Sequence, residues 1–415
     1  MSRALPIQFQ ASQRNRKIRY CLILEVPLYS DSRILRQVDT LVDTGFKLFV
    51  IELGKSEKQN PCGFQLITIE NNPPAGFYRL IPLYLKRAFN GIAGVTKILQ
   101  EIEPDVIEAI GPLALLSSCK AMKKKHIPII YNSLELYQEN FVVQQNVSLF
   151  RTIMRWLYWK LLTRSEKRYI NQADAVITVS QTIAKEMRAR FSIPEPTVIM
   201  NCLSASKRPS PLRGGPDLIA FRFPGIGHRK RLLYSGWLAE GRGIEEVLVA
   251  LSKIEQAVLI IMGEEAPGQK AFRERVGKMI HSLSLEGRVF FLGMVPANEV
   301  LKYAQWADIG ILPYKKTCLN NWYSVPNKMF EYLLAGLPVV ASFQPEYTKI
   351  LIENGFGLVF NPNDPDDIAR CVNRLIEERE TYQKIRNNVL NKAPEYYSWE
   401  QESRKYLDII FRVLG

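Results

Sequence analysis

From Tyr20 onward, short runs of aliphatic and β-branched residues alternate with longer amphipathic stretches, the pattern of parallel strands fed through crossover helices. In the first half these runs are YCLILEV (20–26), KLFVIEL (47–53), DVIEAI (105–110), PIIY (128–131), DAVITVS (174–180) and TVIM (197–200). They predict one α/β domain over 18–200, preceded by a basic tail, 1–17. From 201 to 230 the alternation breaks into a stretch dense in Pro, Gly, Ser and charge, which reads as a linker. The alternation then restarts with RLLYSG (231–236), AVLIIMG (257–263), RVFFLG (288–293), DIGILPY (308–314), PVVAS (338–342) and GLVF (357–360). These predict a second α/β domain over 231–394. The remainder, 395–415, predicts an amphipathic helix with Trp399, Tyr406, Ile409, Ile410 and Val413 on its apolar side, placed to pack back on the first domain. Two doubly wound sheets of this kind bind ligands beyond the carboxyl ends of their strands, so the chemistry is expected in a central cleft that both domains face.

Composition agrees with two ordinary cores: 415 residues, 47% hydrophobic and 23% charged. The six cysteines are scattered with no Cys-x-x-Cys pair, which points to a reducing cytoplasm. The tail Met1–Lys17 lacks the apolar core of a secretory signal, and no apolar run approaches the roughly 20 residues of a membrane span. A soluble or peripheral protein is expected. The net charge of +14 is concentrated in residues 1–200, which hold 27 basic against 17 acidic side chains. Such a field attracts nucleic acid, anionic lipid and phosphorylated substrates alike. No nucleic-acid recognition motif accompanies it, so no nucleic-acid partner is expected.

The most informative stretch is WYSVPNKMFEYLLAGLPVVAS (322–342), which reads as a loop, a capped helix, a Gly-Leu-Pro turn and a buried strand. Ser324 is suited to the N-cap and Pro326 to the first turn, so a helix is expected from about Val325 to Ala335. Its N-terminus offers free backbone N–H groups and partial positive charge, and Lys328 adds a full charge, a combination that suits a diphosphate. Glu331 follows, buried among Phe330, Tyr332 and Leu333, where the two hydroxyls of a ribose would satisfy it.

This segment resembles the C-terminal signature of the family-4 retaining glycosyltransferases of GT-B fold, in the variant reading Pro-Asn-Lys-x-Phe-Glu-Tyr. SDSRILRQVDTLVDTGFKLFV (30–50), EPDVIEA, YNSLELYQEN, ADAVITVS, YSGWLAEGRG, FLGMVP and ADIGILPY fall in the family's order, so the resemblance covers nearly the whole chain. It implies two Rossmann-like domains, the first acceptor-side and the second holding a nucleotide sugar, and a metal-independent hexosyltransferase. Arg242 and Lys328 would serve the diphosphate as catalytic groups. Gly236, Gly293, Tyr323, Ser324, Asn327 and Glu331 would bind the donor, with a UDP-sugar favoured over a GDP-sugar and no cofactor. Asp31, Arg33 and Glu135 are the acceptor-side candidates, the acceptor being a polysaccharide, a lipid-linked saccharide or a glycolipid.

Departures from the family pattern matter too. Tyr323 stands eight residues before Glu331 where many relatives carry a second glutamate, and Trp237 follows Gly236 where many carry a basic residue. Asn132, Ser133, Leu134 and Glu135 occupy the place of Asp-x-His-Glu, and the only histidines are His126, His228 and His281. A non-catalytic GT-B-like binding or scaffold protein is the alternative that these losses suggest. Asp364, Asp366 and Asp367 spell Asp-x-Asp, but their place after a Pro-Asn turn reads as helix-start chemistry, not a metal site. The basic and aromatic segment 151–169, with 77–89, predicts contact with an anionic membrane, which would put the protein on the inner face of the cytoplasmic membrane.

Overall fold

The computed structural model describes residues 16–53, 63–69, 83–122, 126–139, 149–208, 226–297 and 299–415. The strands of the first sheet are β1 (Arg19–Leu24), β2 (Lys47–Leu53), β3 (Phe64–Ile69), β4 (Val106–Ile110), β5 (Ile129–Ser133), β6 (Ala175–Thr178) and β7 (Thr197–Val198), in the order β3-β2-β1-β4-β5-β6-β7. β1 lies parallel between β2 and β4, with Tyr20 opposite Leu48 on one side and Val106 on the other. The second sheet comprises β8 (Lys230–Ser235), β9 (Ala257–Met262), β10 (Val289–Gly293), β11 (Ile309–Leu312), β12 (Val339–Ser342) and β13 (Gly357–Phe360), in the order β10-β9-β8-β11-β12-β13. Its pairs are all parallel. The expected pair of parallel α/β sheets is therefore present.

The runs that mark these strands are apolar because both faces of a parallel sheet are covered by helices. β9 and β12 are buried at every position. The strand that the hydrophobic pattern did not mark, β3, is the exception that fits this physics. It is an edge strand beside β2 alone, only partly buried, so its sequence FQLITI carries polar residues among the apolar ones.

Contacts divide the chain into two compact units, 1–134 with 141–177 and 408–415, and 135–140 with 178–407. In the second unit the chain winds outward from β8 to β10, returns to the middle at β11 and winds the other way to β13. The reversal between β8 and β11 leaves a crevice at their carboxyl ends, the usual ligand position in an open α/β sheet. The first sheet has its own reversal between β1 and β4. The last helix spans Trp399–Leu414, with Trp399, Tyr406, Ile409 and Ile410 buried and Val413 only partly so.

Candidate functional site

Two of the predicted site residues, Gly236 and Lys328, meet where β8 ends. Gly236 follows β8 with φ +134°, a conformation that side chains resist. A Cβ there would lie 2.5 Å from Lys328 Cε and 2.9 Å from its Nζ, so the glycine makes room for the lysine itself as well as for the backbone turn. Behind it, a Cβ on Gly263 would collide with the Gly236 carbonyl, and the Gly263 N–H donates to the Gly293 carbonyl at 2.9 Å. Gly293, at φ +74°, has open space around the position a side chain would take. The carboxyl ends of β8, β9 and β10 are thus paved with glycine.

Arg242 lies in the turn Gly241–Gly243, whose two glycines both have positive φ. A side chain on Gly243 would run into the Pro313 carbonyl oxygen, which brings this turn down against the end of β11. The Arg242 guanidinium sits 4.6 Å from the centre of the Tyr314 ring, a cation–π contact that fixes its plane. It opens on a cavity lined by Glu240, Arg242, Tyr314, Ser324, Pro326 and Tyr347, among others. Glu240 is engaged by Arg275 at 2.9 Å, and the nearby Lys315 pairs with Glu246. Among the described residues no carboxylate pairs with Arg242 or Lys328.

The motif helix spans Asn327–Ala335 with Pro326 at its N-cap and no side-chain cap. This corrects the expectation of a Ser324 cap: Ser324 closes the preceding short helix, Leu319–Tyr323, and its hydroxyl donates back to the Asn320 carbonyl. The first N–H groups of the motif helix keep no side-chain oxygen of their own. Lys328 is half-buried, Asn327 is exposed and its side chain accepts from Asn201, and Glu331 is half-buried, less deeply than expected. Its neighbours differ: Phe330, Tyr332 and Leu333 face the core. The Tyr332 hydroxyl accepts from the Ser235 N–H at 2.8 Å and donates to the Leu233 carbonyl at 3.0 Å, tying the helix to the end of β8. Burial pushes its titration far above the ordinary phenol range.

The loop before the motif helix is braced from elsewhere in the same unit. Ser180 donates to the Tyr323 carbonyl at 2.6 Å and the Leu136 N–H donates to Asn320 Oδ1 at 2.7 Å, while Glu346, on the helix after β12, accepts from the Thr182 N–H at 2.6 Å. None of these partners was legible from the motif. Tyr323 is itself partly buried.

The acceptor-side candidates fall in different places. Asp31 caps the helix Ser32–Asp43, accepting from the N–H groups of Arg33 at 2.8 Å and Ile34 at 3.4 Å. Arg33 is 2% exposed and donates to Asn132 Oδ1 at 3.3 Å. The Asn132 amide in turn donates to Glu108 at 2.6 Å, as does the Tyr20 hydroxyl to the other carboxylate oxygen at 2.6 Å. Asn132 therefore anchors a buried polar network. Glu135 is partly buried and belongs to the second unit. The Asp-x-Asp residues do helix-start work: Asp364 accepts from the N–H groups of Asp366 and Asp367, Asp366 pairs with Lys253, and Asp367 with Arg370.

Comparison with known proteins carries this geometry to a family. The model described as "Glycosyltransferase Family 4" matches residues 32–207, and that described as "Glycosyl transferases group 1" matches 220–392. An uncharacterized glycosyltransferase of Methanocaldococcus jannaschii is 26% identical over 240 residues, 56% of this chain and 59% of its own length. TuaH of Bacillus subtilis is 29% identical over 241 residues, 55% of this chain and 56% of its own. The alignments thus span little more than half of these relatives. Among solved structures, Anabaena HepE in complex with UDP and glucose superposes with a TM-score of 0.69 at 16% identity, over 95% of this chain and 99% of its own. With family models along both halves and two parallel α/β sheets, the chain belongs to the glycosyltransferases of GT-B fold.

Proposed function

We propose that the protein is a retaining, metal-independent glycosyltransferase that moves a sugar from a nucleotide sugar, a UDP-sugar in the first instance, to a saccharide or lipid-linked acceptor. One observation carries this reading: Lys328 laid across Gly236 and Arg242 laid on Tyr314 are cations that no described carboxylate pairs, at the reversal point of a parallel α/β sheet. In the transfer, the bond from the sugar's anomeric carbon to the diphosphate oxygen breaks and its electron pair stays with the phosphate. A new bond forms from that carbon to the acceptor hydroxyl, on the same face, and the hydroxyl proton passes to the departing phosphate. Charge grows on the leaving group, so fixed cations there lower the barrier without needing a histidine base. The UDP and glucose held by HepE support a UDP-sugar, and TuaH, named for teichuronic acid biosynthesis, supports a polysaccharide acceptor. A scaffold without turnover is not favoured, since the cations and the glycine floor are intact.

The test is a thermal-shift series in EDTA with UDP, GDP, ADP and their sugar conjugates. Ligand at about 100 times its dissociation constant adds about 2.7 kcal/mol, a clear rise in melting temperature. We expect a rise selective for one base, UDP foremost, lost in Glu331→Ala, whose carboxylate is assigned to the ribose. No rise with any nucleotide would remove the reading.

The same reading places the protein on the inner face of the cytoplasmic membrane. Among the described residues no helix is long and apolar enough to cross a membrane. On the helix Leu149–Tyr169, however, Ile153, Trp156, Leu157 and Leu161 are 42–46% exposed along one stripe, with Arg164, Lys167 and Arg168 exposed beyond it. Its inner side is anchored by Glu166, 2% exposed, which accepts from the Tyr131 hydroxyl at 2.6 Å. Exposed aromatic and aliphatic groups beside basic ones suit an anionic bilayer surface. Of the companion segment 77–89, residues 77–82 and the side chains of the rest lie outside the described residues. Co-sedimentation with phosphatidylglycerol-containing vesicles is expected at low salt, weakened by added salt and lost in the double variant Trp156→Glu, Leu157→Glu. Equal sedimentation of wild type and variant would refute the membrane role of this stripe.

A further inference from the structure

Tyr347 stands in the first turn of the helix Pro345–Leu351, which follows β12, and it lines the Arg242 cavity beside Tyr314, Ser324 and Pro326. Its side chain is 0% exposed and, among the described residues, its hydroxyl has no hydrogen-bond partner. Buried hydroxyls are nearly always bonded, so one left open against a cavity points to a group that arrives from outside. Several other polar side chains of this lining are already engaged. Ser324 gives its proton to the Asn320 carbonyl, Asn321 donates to Thr317 at 2.7 Å, and Glu240 is held by Arg275. Among the described residues donors remain on Arg242 and on the Tyr314, Thr317 and Tyr347 hydroxyls, and of these hydroxyls that of Tyr347, beside Arg242, is the fully buried one without a partner.

Their chemistry is complementary. Arg242 carries a full positive charge whose plane is set by Tyr314. The hydroxyl of Tyr347 is held neutral by burial, which raises its titration well above the phenol range against the opposing pull of Arg242. A neutral O–H donates and repels no anion, whereas a phenolate would. A group that satisfies both must be anionic and must accept more than one hydrogen bond, as a phosphate does.

We infer that the Tyr347 hydroxyl donates a hydrogen bond to the distal phosphate of a nucleoside diphosphate seated on Arg242, making Tyr347 a donor-binding residue that the family motif does not include. This rests on the transferase reading above and adds the partner that the cavity itself selects.

The experiment compares wild type and Tyr347→Phe, which removes one oxygen and keeps the ring. Dissociation constants are measured by calorimetry for UDP, GDP and ADP, and for uridine, guanosine and adenosine. For whichever diphosphate wild type binds, we expect Tyr347→Phe to weaken it about tenfold, the usual loss for a hydrogen bond to a charged group. The matching nucleoside should bind both proteins alike, and the unliganded variant should melt no lower than wild type. Equal affinity of both proteins for the diphosphate would overturn the inference while leaving the transferase reading in place. So would an equal loss for nucleoside and diphosphate, which would mark a packing change, or a lowered melting temperature, which would show the hydroxyl bonded within the protein. If wild type binds none of the three diphosphates, the inference and the transferase reading fall together.

Discussion

Arg242→Ala and Lys328→Ala are each expected to lower turnover by about 10²-fold or more, read as the initial rate of nucleoside diphosphate release with the cognate sugar donor and acceptor. The estimate follows from what the two groups are free to do. A surface cation paired with a carboxylate contributes little when removed, but these two have no ion-pair partner among the described residues, so their charge is available to a ligand. Each is also held in place. The Lys328 side chain crosses Gly236 because no Cβ stands there, and Arg242 rests 4.6 Å from the Tyr314 ring centre. Such preorganisation matters because a donor that need not move stabilises growing charge at no reorganisation cost. Neither substitution strands a buried carboxylate, so both variants should fold. Arg242→Lys should recover only part of the loss, since an ammonium cannot stack as a guanidinium does on the tyrosine ring. Wild-type rates in both alanine variants would sink the leaving-group role.

The inner strands β9, β11 and β12 of the second sheet were readable because they are buried at every position, which writes continuous apolar runs into the sequence. β3 was not, because this partly buried edge strand carries polar residues in its run, whereas the equally partly buried edge strand β10 keeps the apolar run VFFLG. The motif helix was readable in existence but misplaced at its start. Ser324 has the chemistry of a cap, yet its hydroxyl is turned back to the Asn320 carbonyl, a choice made by the short helix before it. Gly236 and Lys328 could each be named from the motif. That one exists to make room for the other could not, because sequence shows neither their distance nor the direction of the lysine stem. Tyr314 and Tyr347 were invisible for a related reason. In sequence a tyrosine beside a strand is core until its hydroxyl can be followed, and only the fold brings these two to Arg242. The helix-start chemistry of the Asp-x-Asp is legible in the sequence because capping is local, and Asp364 accepts from the N–H groups of Asp366 and Asp367.

Tyr332→Phe is expected to lower the stability of the unliganded protein by about 2 kcal/mol, whereas the same change at Tyr347 should cost nothing, and the contrast separates a structural hydroxyl from a ligand-binding one. Both tyrosines are 0% exposed, both flank the same end of the second sheet, and both are held neutral by burial. They differ in what their oxygens touch. Tyr332 bridges the Ser235 N–H at 2.8 Å and the Leu233 carbonyl at 3.0 Å, so removing its oxygen leaves two backbone groups without that partner where water does not reach. Its ring cannot shift to compensate, because it lies against Gly310, where even a Cβ would come within 2.9 Å of Tyr332 Cγ. Loss of that bridge should also loosen the seat of Lys328, which rides on the same helix over the same strand end, so turnover should fall along with stability. Urea titrations of wild type and the two phenylalanine variants read the effect directly. A midpoint for Tyr332→Phe equal to that of wild type would mean that the helix is fixed at β8 by packing alone, and the bridging hydroxyl would lose its place in the account of how the site is held.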